Sequence, residues 1–106
     1  MKIWNLKKYY FKRCVETTGS LGSISENYAD QAEVILAYLY PAGGQIQAQQ
    51  YGQRLGYMLN MLYNDGPIAE RDGVCVYVEP SELPDYKVVS IKRYTGHCEA
   101  ELERIV

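Results

Sequence analysis

The side chains that could support catalysis or metal binding are few and are not arranged for either task. His97 is the only histidine and precedes Cys98, but no second histidine and no closely spaced cysteine pair completes a four-ligand metal site. Neighbouring side chains of a strand point to opposite faces, so His97 is badly placed to activate Cys98 as a nucleophile. We interpret His97 as a turn residue.

Three glutamates at alternate positions, Glu99, Glu101 and Glu103, are the second candidate for chemistry. We expect them on one exposed face of a strand, against water or a basic partner surface, without strongly perturbed pKa values. The sequence also lacks a phosphate-binding loop and the common hydrolase and zinc-enzyme motifs. It therefore predicts no enzyme, no catalytic residue, no metal and no cofactor.

Size and composition are typical of one small domain that spans residues 1–106. A hydrophobic fraction of 47% is enough for a single core. Eleven tyrosines against one phenylalanine and one tryptophan favour half-buried strands and interfaces. Cys14, Cys75 and Cys98 have no CxxC spacing and lie in apolar runs, which predicts reduced, buried thiols. With no recognisable signal peptide or membrane span, we expect a soluble protein made in the cytoplasm.

Charge is distributed unevenly, although the net charge is only −2. Residues 1–13 hold five basic residues and no acid, residues 14–85 hold ten acids and two arginines, and residues 86–106 hold four bases and three acids. This balance does not favour free nucleic-acid binding. The polarity suits head-to-tail packing of identical subunits, although a solvated basic strand would give the same pattern.

Short apolar or alternating segments separated by turn signals predict a mainly β fold. One helix is predicted at 45–55 and one long flexible loop, with room for a short edge strand, at 17–31. The fold class is a small antiparallel β-barrel or sandwich of about six strands. The predicted strands are residues 6–15, 34–40, 57–63, 74–78, 86–93 and 98–103.

Alternation also assigns residues to the faces of these strands. Residues 34–40 are apolar on both faces, which predicts a strand covered by the barrel interior and by a neighbouring element or subunit. In four other strands, alternation predicts which residues share one face. These groups are Tyr9, Phe11 and Val15 in the first strand, Tyr57, Leu59, Met61 and Tyr63 in the strand at 57–63, Val89 and Ile91 in the strand at 86–93, and Cys98, Ala100 and Leu102 in the last strand.

The order of these segments resembles that of the head–tail joining, or head-closure, proteins of tailed bacteriophages. In that family a basic strand precedes a G-x-x-x-x-x-Y/W loop, here residues 22–28, and an aliphatic strand ends in P-x-x-G, here residues 41–44. Leu62 departs from the family, which commonly has an arginine before the tyrosine. A Gln-rich helix, a D-G-V start, a Y-x-V-x-S-I strand and a final E-L strand are matched by residues 45–54, 72–74, 86–91 and 101–102.

The resemblance implies a structural virion or prophage protein that closes the DNA-filled head and joins it to the tail. Such proteins form homo-oligomeric rings, typically twelvefold, beneath the portal and adaptor, and loops in the channel retain packaged DNA. The implied partners are therefore portal, adaptor and tail proteins, and contact with DNA is allowed. No membrane or small-molecule substrate is implied. The implied locations are the bacterial host cytoplasm during assembly and the virion neck afterwards.

The candidate interface or channel residues lie in three segments. The loop at 17–31 contributes isolated apolar and aromatic side chains, the basic strand contributes cations, and the apolar strand contributes two tyrosines. The candidates are Leu21, Gly22, Ile24, Tyr28, Lys8, Lys12, Arg13, Tyr38 and Tyr40.

Two alternative functions stay open on the sequence. One is a tail-completion or tail-terminator protein, which is also a small β-rich ring former. The other is a small β-barrel that binds a peptide or nucleic acid, which would need a compact aromatic and basic patch. The only candidate patch, residues 8–13, is split between two faces by strand alternation.

Overall fold

The computed structural model describes residues 6–18 and 24–105, with the backbone alone at 16–18 and 24–26. These residues form a closed six-stranded antiparallel barrel, one short helix with a 3-10 continuation, and a separate two-stranded hairpin. The mainly β fold with one short helix, predicted from the sequence, is confirmed.

The strands follow one another around the barrel in the order β1-β4-β5-β8-β7-β6, and β6 pairs with β1 to close it. Strands β2 and β3 pair with each other as the hairpin. Helix α1 (Gln45–Tyr51) continues directly into the 3-10 helix Gly52–Tyr57. The strands are β1 Lys7–Lys12, β2 Cys14–Thr18, β3 Ile24–Tyr28, β4 Glu33–Pro41, β5 Met58–Tyr63, β6 Gly73–Cys75, β7 Tyr86–Tyr94 and β8 His97–Arg104.

The core is the interior of the barrel, filled by alternate residues of its strands. Period-two alternation places one residue in two inside, where burial of apolar surface stabilises the fold. Met61 and Tyr63 from β5 and Ala100 and Leu102 from β8 are fully buried, as the alternation predicts. The other core residues are Phe11, Ile35, Ala37, Ile68, Val74, Tyr86, Val88 and Cys98.

The predicted strand at 6–15 is divided in two. Strand β1 ends at Lys12 and β2 begins at Cys14, so the chain leaves the barrel at Arg13 and enters the hairpin. Phe11 is buried as predicted and Tyr9 packs against the core, but Val15 is 42% exposed. Part of the predicted loop at 17–31 is therefore paired hairpin strand, and its tip lies outside the described residues.

Three further predictions change in detail. The register of β7 shifts between Val88 and Ser90, and this bulge leaves Val88, not Val89, in the core with Ile91 packed beside it. Strand β6 ends at Cys75 instead of residue 78. Tyr57 ends the 3-10 helix and is 55% exposed, instead of facing the core from the next strand.

The cysteine prediction is close to the structure. The three cysteines form no disulfide with one another; Cys75 and Cys98 are buried and Cys14 is partly buried. Within the described residues, no helix is long and apolar enough to cross a membrane.

Gly73 provides a test of barrel closure. A Cβ atom there would lie 2.5 Å from Cγ of Pro84 and 2.9 Å from Cε1 of Tyr28, so G73A must displace the loop that covers β6. We expect G73A to lower the free energy of unfolding by about 1–3 kcal/mol in urea denaturation. The control G43A, with no atom within 4 Å of the added Cβ, should change stability by less than about 0.5 kcal/mol. Equal effects of the two substitutions would contradict this close packing.

Candidate interaction surface

The outer side of β4 carries exposed apolar residues. Ile35 and Ala37 point into the core, so Val34, Leu36 and Tyr38 point outward, where they are 50%, 49% and 42% exposed. The sequence predicts cover on both faces of this strand. The structure places the barrel interior on one face, and the part of the chain that it describes leaves the other face open.

Cross-strand neighbours extend this surface on both sides. On β1, Tyr10 lies opposite Val34 and Lys8 lies opposite Leu36. On β5, Leu62 lies opposite Tyr38. Tyr38 also stacks on half-buried Tyr40, with ring centroids 5.9 Å apart. We define the β4 face as the set Lys8, Tyr10, Val34, Leu36, Tyr38 and Leu62.

A different part of the outer surface is covered by α1 through a buried polar cluster. Glu101 is 1% exposed, although its side chain points away from the core. Nε2 of Gln47 donates hydrogen bonds to Oε2 of Glu101 and to Oδ1 of Asn60, both at 2.8 Å. Oγ of Ser90 donates to Oε1 of Glu101 at 2.6 Å. The prediction that all three glutamates of β8 are exposed is therefore wrong for Glu101, and the Glu103 side chain is also mostly covered, with 17% of it exposed.

A second polar contact holds the 3-10 helix. Arg54 makes a bidentate pair with Glu103, with Nε–Oε2 at 2.7 Å and Nη2–Oε1 at 2.9 Å, and its guanidinium lies 5.3 Å from the ring centroid of Tyr51. Neither α1 nor the 3-10 helix contains a buried residue. The helical segment is therefore held on the barrel mainly by directed polar contacts.

These contacts shift the pKa values of two carboxylates. Burial raises the pKa of Glu101, but hydrogen bonds from Ser90 and Gln47 and the charge of Lys92 outweigh it, so the pKa lies below its usual range. The hydrogen bonds from Arg54 lower the pKa of Glu103. Both carboxylates thus bind their partners as anions.

The structure gives two predicted interface cations partners within the chain. Lys12 is 5% exposed, and its Nζ donates to the backbone carbonyl of Glu82 at 2.8 Å. Arg13 pairs with Glu33 at 3.1 Å and donates from Nη1 to the carbonyl of Pro67 at 2.9 Å. Lys8 is exposed on β1, so it contributes positive charge to the β4 face.

Two of the predicted loop residues lie in the hairpin. Ile24 begins β3 and pairs with Thr18, and Tyr28 ends β3 and pairs with Cys14. The Tyr28 side chain lines a pocket of about 310 Å³ together with Arg54, Arg71 and Lys87. Leu21 and Gly22 lie outside the described residues. The structure therefore brings Lys8, Tyr38 and Tyr40 to neighbouring positions on the outer surface and places the hairpin residues elsewhere.

A second exposed apolar surface was not singled out by the sequence analysis. Tyr77 and Leu83, in the connection between β6 and β7, are each 78% exposed. We call residues 76–85 the β6–β7 loop. The signal was partial, because Leu83 stands between Pro80, Pro84 and acids in a segment that reads as a turn, but Tyr77 lay within the predicted strand at 74–78.

The described residues offer little chemistry. His97 begins β8 and stacks on Tyr94, with ring centroids 4.9 Å apart, while Cys98 points into the core. Within 6–18 and 24–105, no group of three or more His, Cys, Asp or Glu side chains could hold a metal ion. The exposed features of this site are thus apolar and aromatic surfaces of the kind used for protein contacts.

Comparisons with known proteins do not extend this description. No protein-family model matches the chain, and no significant match is found among curated proteins or among solved structures. Any function proposed for the chain therefore rests on the barrel, its surfaces and the pattern of its sequence.

The polar cluster predicts an acid-dependent stability. A carboxylate with a depressed folded-state pKa stabilises the fold above its ordinary pKa of 4.5, and this stabilisation is lost as the pH falls through the folded value. We expect E101Q to lower the free energy of unfolding by about 2 kcal/mol at pH 7, because the variant lacks the charge-assisted hydrogen bonds at every pH. The difference should be smaller in acid, because protonation of Glu101 removes the same hydrogen bonds from the parent. Urea unfolding from roughly pH 6 to 3 measures both effects.

The control for this prediction is E70Q, which changes an exposed acid in the turn before β6. It should reproduce the stability and the pH profile of the parent chain. An E101Q variant whose deficit is the same at pH 7 and in acid would contradict the role assigned to the Glu101 carboxylate.

Proposed function

We propose that the chain is a structural subunit of a ring that closes the DNA-filled head of a tailed phage and joins it to the tail. The observation that carries this proposal is the β4 face. The six strands of the barrel pair in a closed ring, so exposed side-chain surfaces are its main means of contact with other subunits. Apart from Lys8, the β4 face is an apolar and aromatic surface that the described residues leave uncovered.

The hairpin supports the same proposal. Strands β2 and β3 form their own two-stranded sheet, connected to the barrel at Arg13 and Ala29, where the amide of Ala29 donates to the carbonyl of Arg13 at 2.8 Å. An element of this kind can reach into a channel or toward a partner while the barrel stays intact. Its sequence carries the glycine and tyrosine pattern that resembles the head-closure family.

The proposed partners follow from this role. They are other copies of the chain, the portal and adaptor proteins above the ring and the tail proteins below it, with packaged DNA in the channel. Assembly would take place in the cytoplasm of the bacterial host, and the mature location would be the virion neck. The chemistry of the described residues gives no separate support to an enzymatic role.

Binding to heads tests this function. Purified protein is sedimented with DNA-filled heads that carry the portal and adaptor of the phage or prophage that encodes it, and DNA leakage and electron microscopy are scored. We expect a ring at the portal vertex and reduced leakage. The variant L36S should bind at least about tenfold more weakly, because it removes an apolar contact from the β4 face at little cost in stability.

The matched control is I105S, which removes an apolar side chain that is 44% exposed just after β8. It should bind heads like the parent. Binding to tail tubes instead of heads would assign the protein to the tail side of the neck, and binding to neither would overturn the proposal.

The hairpin has its own expected role. Replacing residues 19–23 by a two-residue Asn-Gly turn should leave the thermal unfolding of the barrel nearly unchanged, because the barrel strands pair without the hairpin. The same variant should bind heads but retain DNA poorly or fail to dock tails. Loss of the barrel fold in circular dichroism, or normal retention and docking, would contradict this role.

A further inference from the structure

We propose that the β4 face of one copy is covered by the β6–β7 loop of the next copy in the ring. This contact rests on the proposed function, because it names the surface that each subunit offers to its neighbour. The contact joins two different surfaces, the β4 face and the β6–β7 loop, and every copy carries both.

The β6–β7 loop has the composition that the β4 face requires. Its exposed tips are Tyr77 and Leu83, a flat aromatic and a branched aliphatic side chain. Tyrosine is enriched in protein interfaces because it buries a large apolar ring while its hydroxyl stays wet. Val34, Leu36 and Tyr38 offer an apolar surface of the same kind on β4.

The charges of the two surfaces are complementary. Between 76 and 85 the chain has three acids, including exposed Glu79 and Glu82, and no basic residue. Exposed Lys8 lies on the β1 side of the β4 face, whereas Glu99 lies opposite Leu62 at its other side, so the acids of the loop are expected to meet the β1 side. Opposite charges around an apolar centre steer two surfaces into register and disfavour contact between two like surfaces.

The loop is held in one shape before it binds. Oδ1 and Oδ2 of Asp85 accept hydrogen bonds from the amides of Val76 and Tyr77 at 2.8 and 3.0 Å. The carbonyl of Glu82 accepts from Lys12 at 2.8 Å, and the amide of Glu82 donates to the carbonyl of Glu79 at 2.9 Å. A preordered loop loses less conformational entropy on docking than a flexible one.

The position of the two surfaces allows a ring. Strands β4 and β6 both pair with β1 and lie on opposite sides of it, so the β4 face and the loop that leaves β6 are separate surfaces of the barrel. A contact between two different surfaces adds copies head to tail, and such a contact closes when the rotation per copy divides a full turn.

Each single contact is expected to be weak. The apolar centre has about five side chains, well below the roughly 20–30 residues per side of a stable interface. In a closed ring every copy makes two such contacts, so closure or a template raises the effective concentration. Two free copies should therefore associate only at high concentration.

Charge reversal distinguishes this arrangement from other contacts. Sedimentation equilibrium of K8E alone and of E82K alone should show self-association at least about tenfold weaker than in the parent, since like charges then face each other. An equimolar mixture of K8E and E82K should recover association. When the two variants alternate along the series, every junction pairs opposite charges. One junction joins the native Lys8 to the native Glu82, and the next joins the glutamate at position 8 to the lysine at position 82.

Controls and a second measurement complete the test. E70K, a charge reversal in the turn before β6, should associate like the parent. When L36C is mixed with L83C under oxidising conditions, a disulfide should form between the two chains. It should form faster than in the control mixtures of L36C with I105C and of L83C with I105C. The inference would be overturned if the parent stays monomeric up to about 1 mM and the cysteine variants give no selective 36–83 disulfide. It would also be overturned if the mixture of K8E and E82K does not recover self-association.

Failure of this contact can be told apart from failure of the proposed function. If heads acquire a ring but the 36–83 disulfide is absent from it, the function stands and another surface joins the copies. If the charge-reversed mixture associates but no head binds, the contact stands and the ring belongs to a different assembly.

Discussion

Closure of the barrel depends on β6, which has only three residues. Gly73–Cys75 makes three pairs with β1 and two with β7. Two buried aspartates, Asp72 just before β6 and Asp85 just before β7, accept hydrogen bonds from nearby backbone amides. Asp72 accepts from Cys14 at 3.1 Å and from Ala69 at 2.9 Å, and Asp85 accepts from the start of the β6–β7 loop. The hairpin and the loop are thus both anchored where the barrel closes.

Alternation within one strand could be read from the sequence because the period of two is a local property. The inward faces of β5 and β8 follow it at Met61, Tyr63, Ala100 and Leu102. The bulge in β7 and the break at Arg13 could not be read this way. Both depend on which strand pairs with which residue, and that pairing is decided by distant parts of the chain.

Burial on the outside of the barrel was also beyond the sequence pattern. Alternation places Glu101 outside the core, but whether water reaches it depends on Gln47, which arrives from a helix 54 positions earlier. The candidate site divides in the same way. The apolar outer face of β4 was predicted from residues 34–40, while the internal partners of Lys12 and Arg13 and the exposure of Tyr77 and Leu83 required the structure.

The outer surface of the barrel is therefore covered in one region and open in another. Over β5, β7 and β8, the helical segment satisfies a buried carboxylate, while Ile46 and Tyr57 of that segment stay exposed. Over β4, the apolar side chains have no such cover, and their modest number suits contacts that form cooperatively in a ring. A net charge of −2 gives such a ring no general ionic hold on DNA phosphates. In the proposed neck, DNA would accordingly be retained by steric obstruction of the channel, which allows rapid release once the obstruction moves.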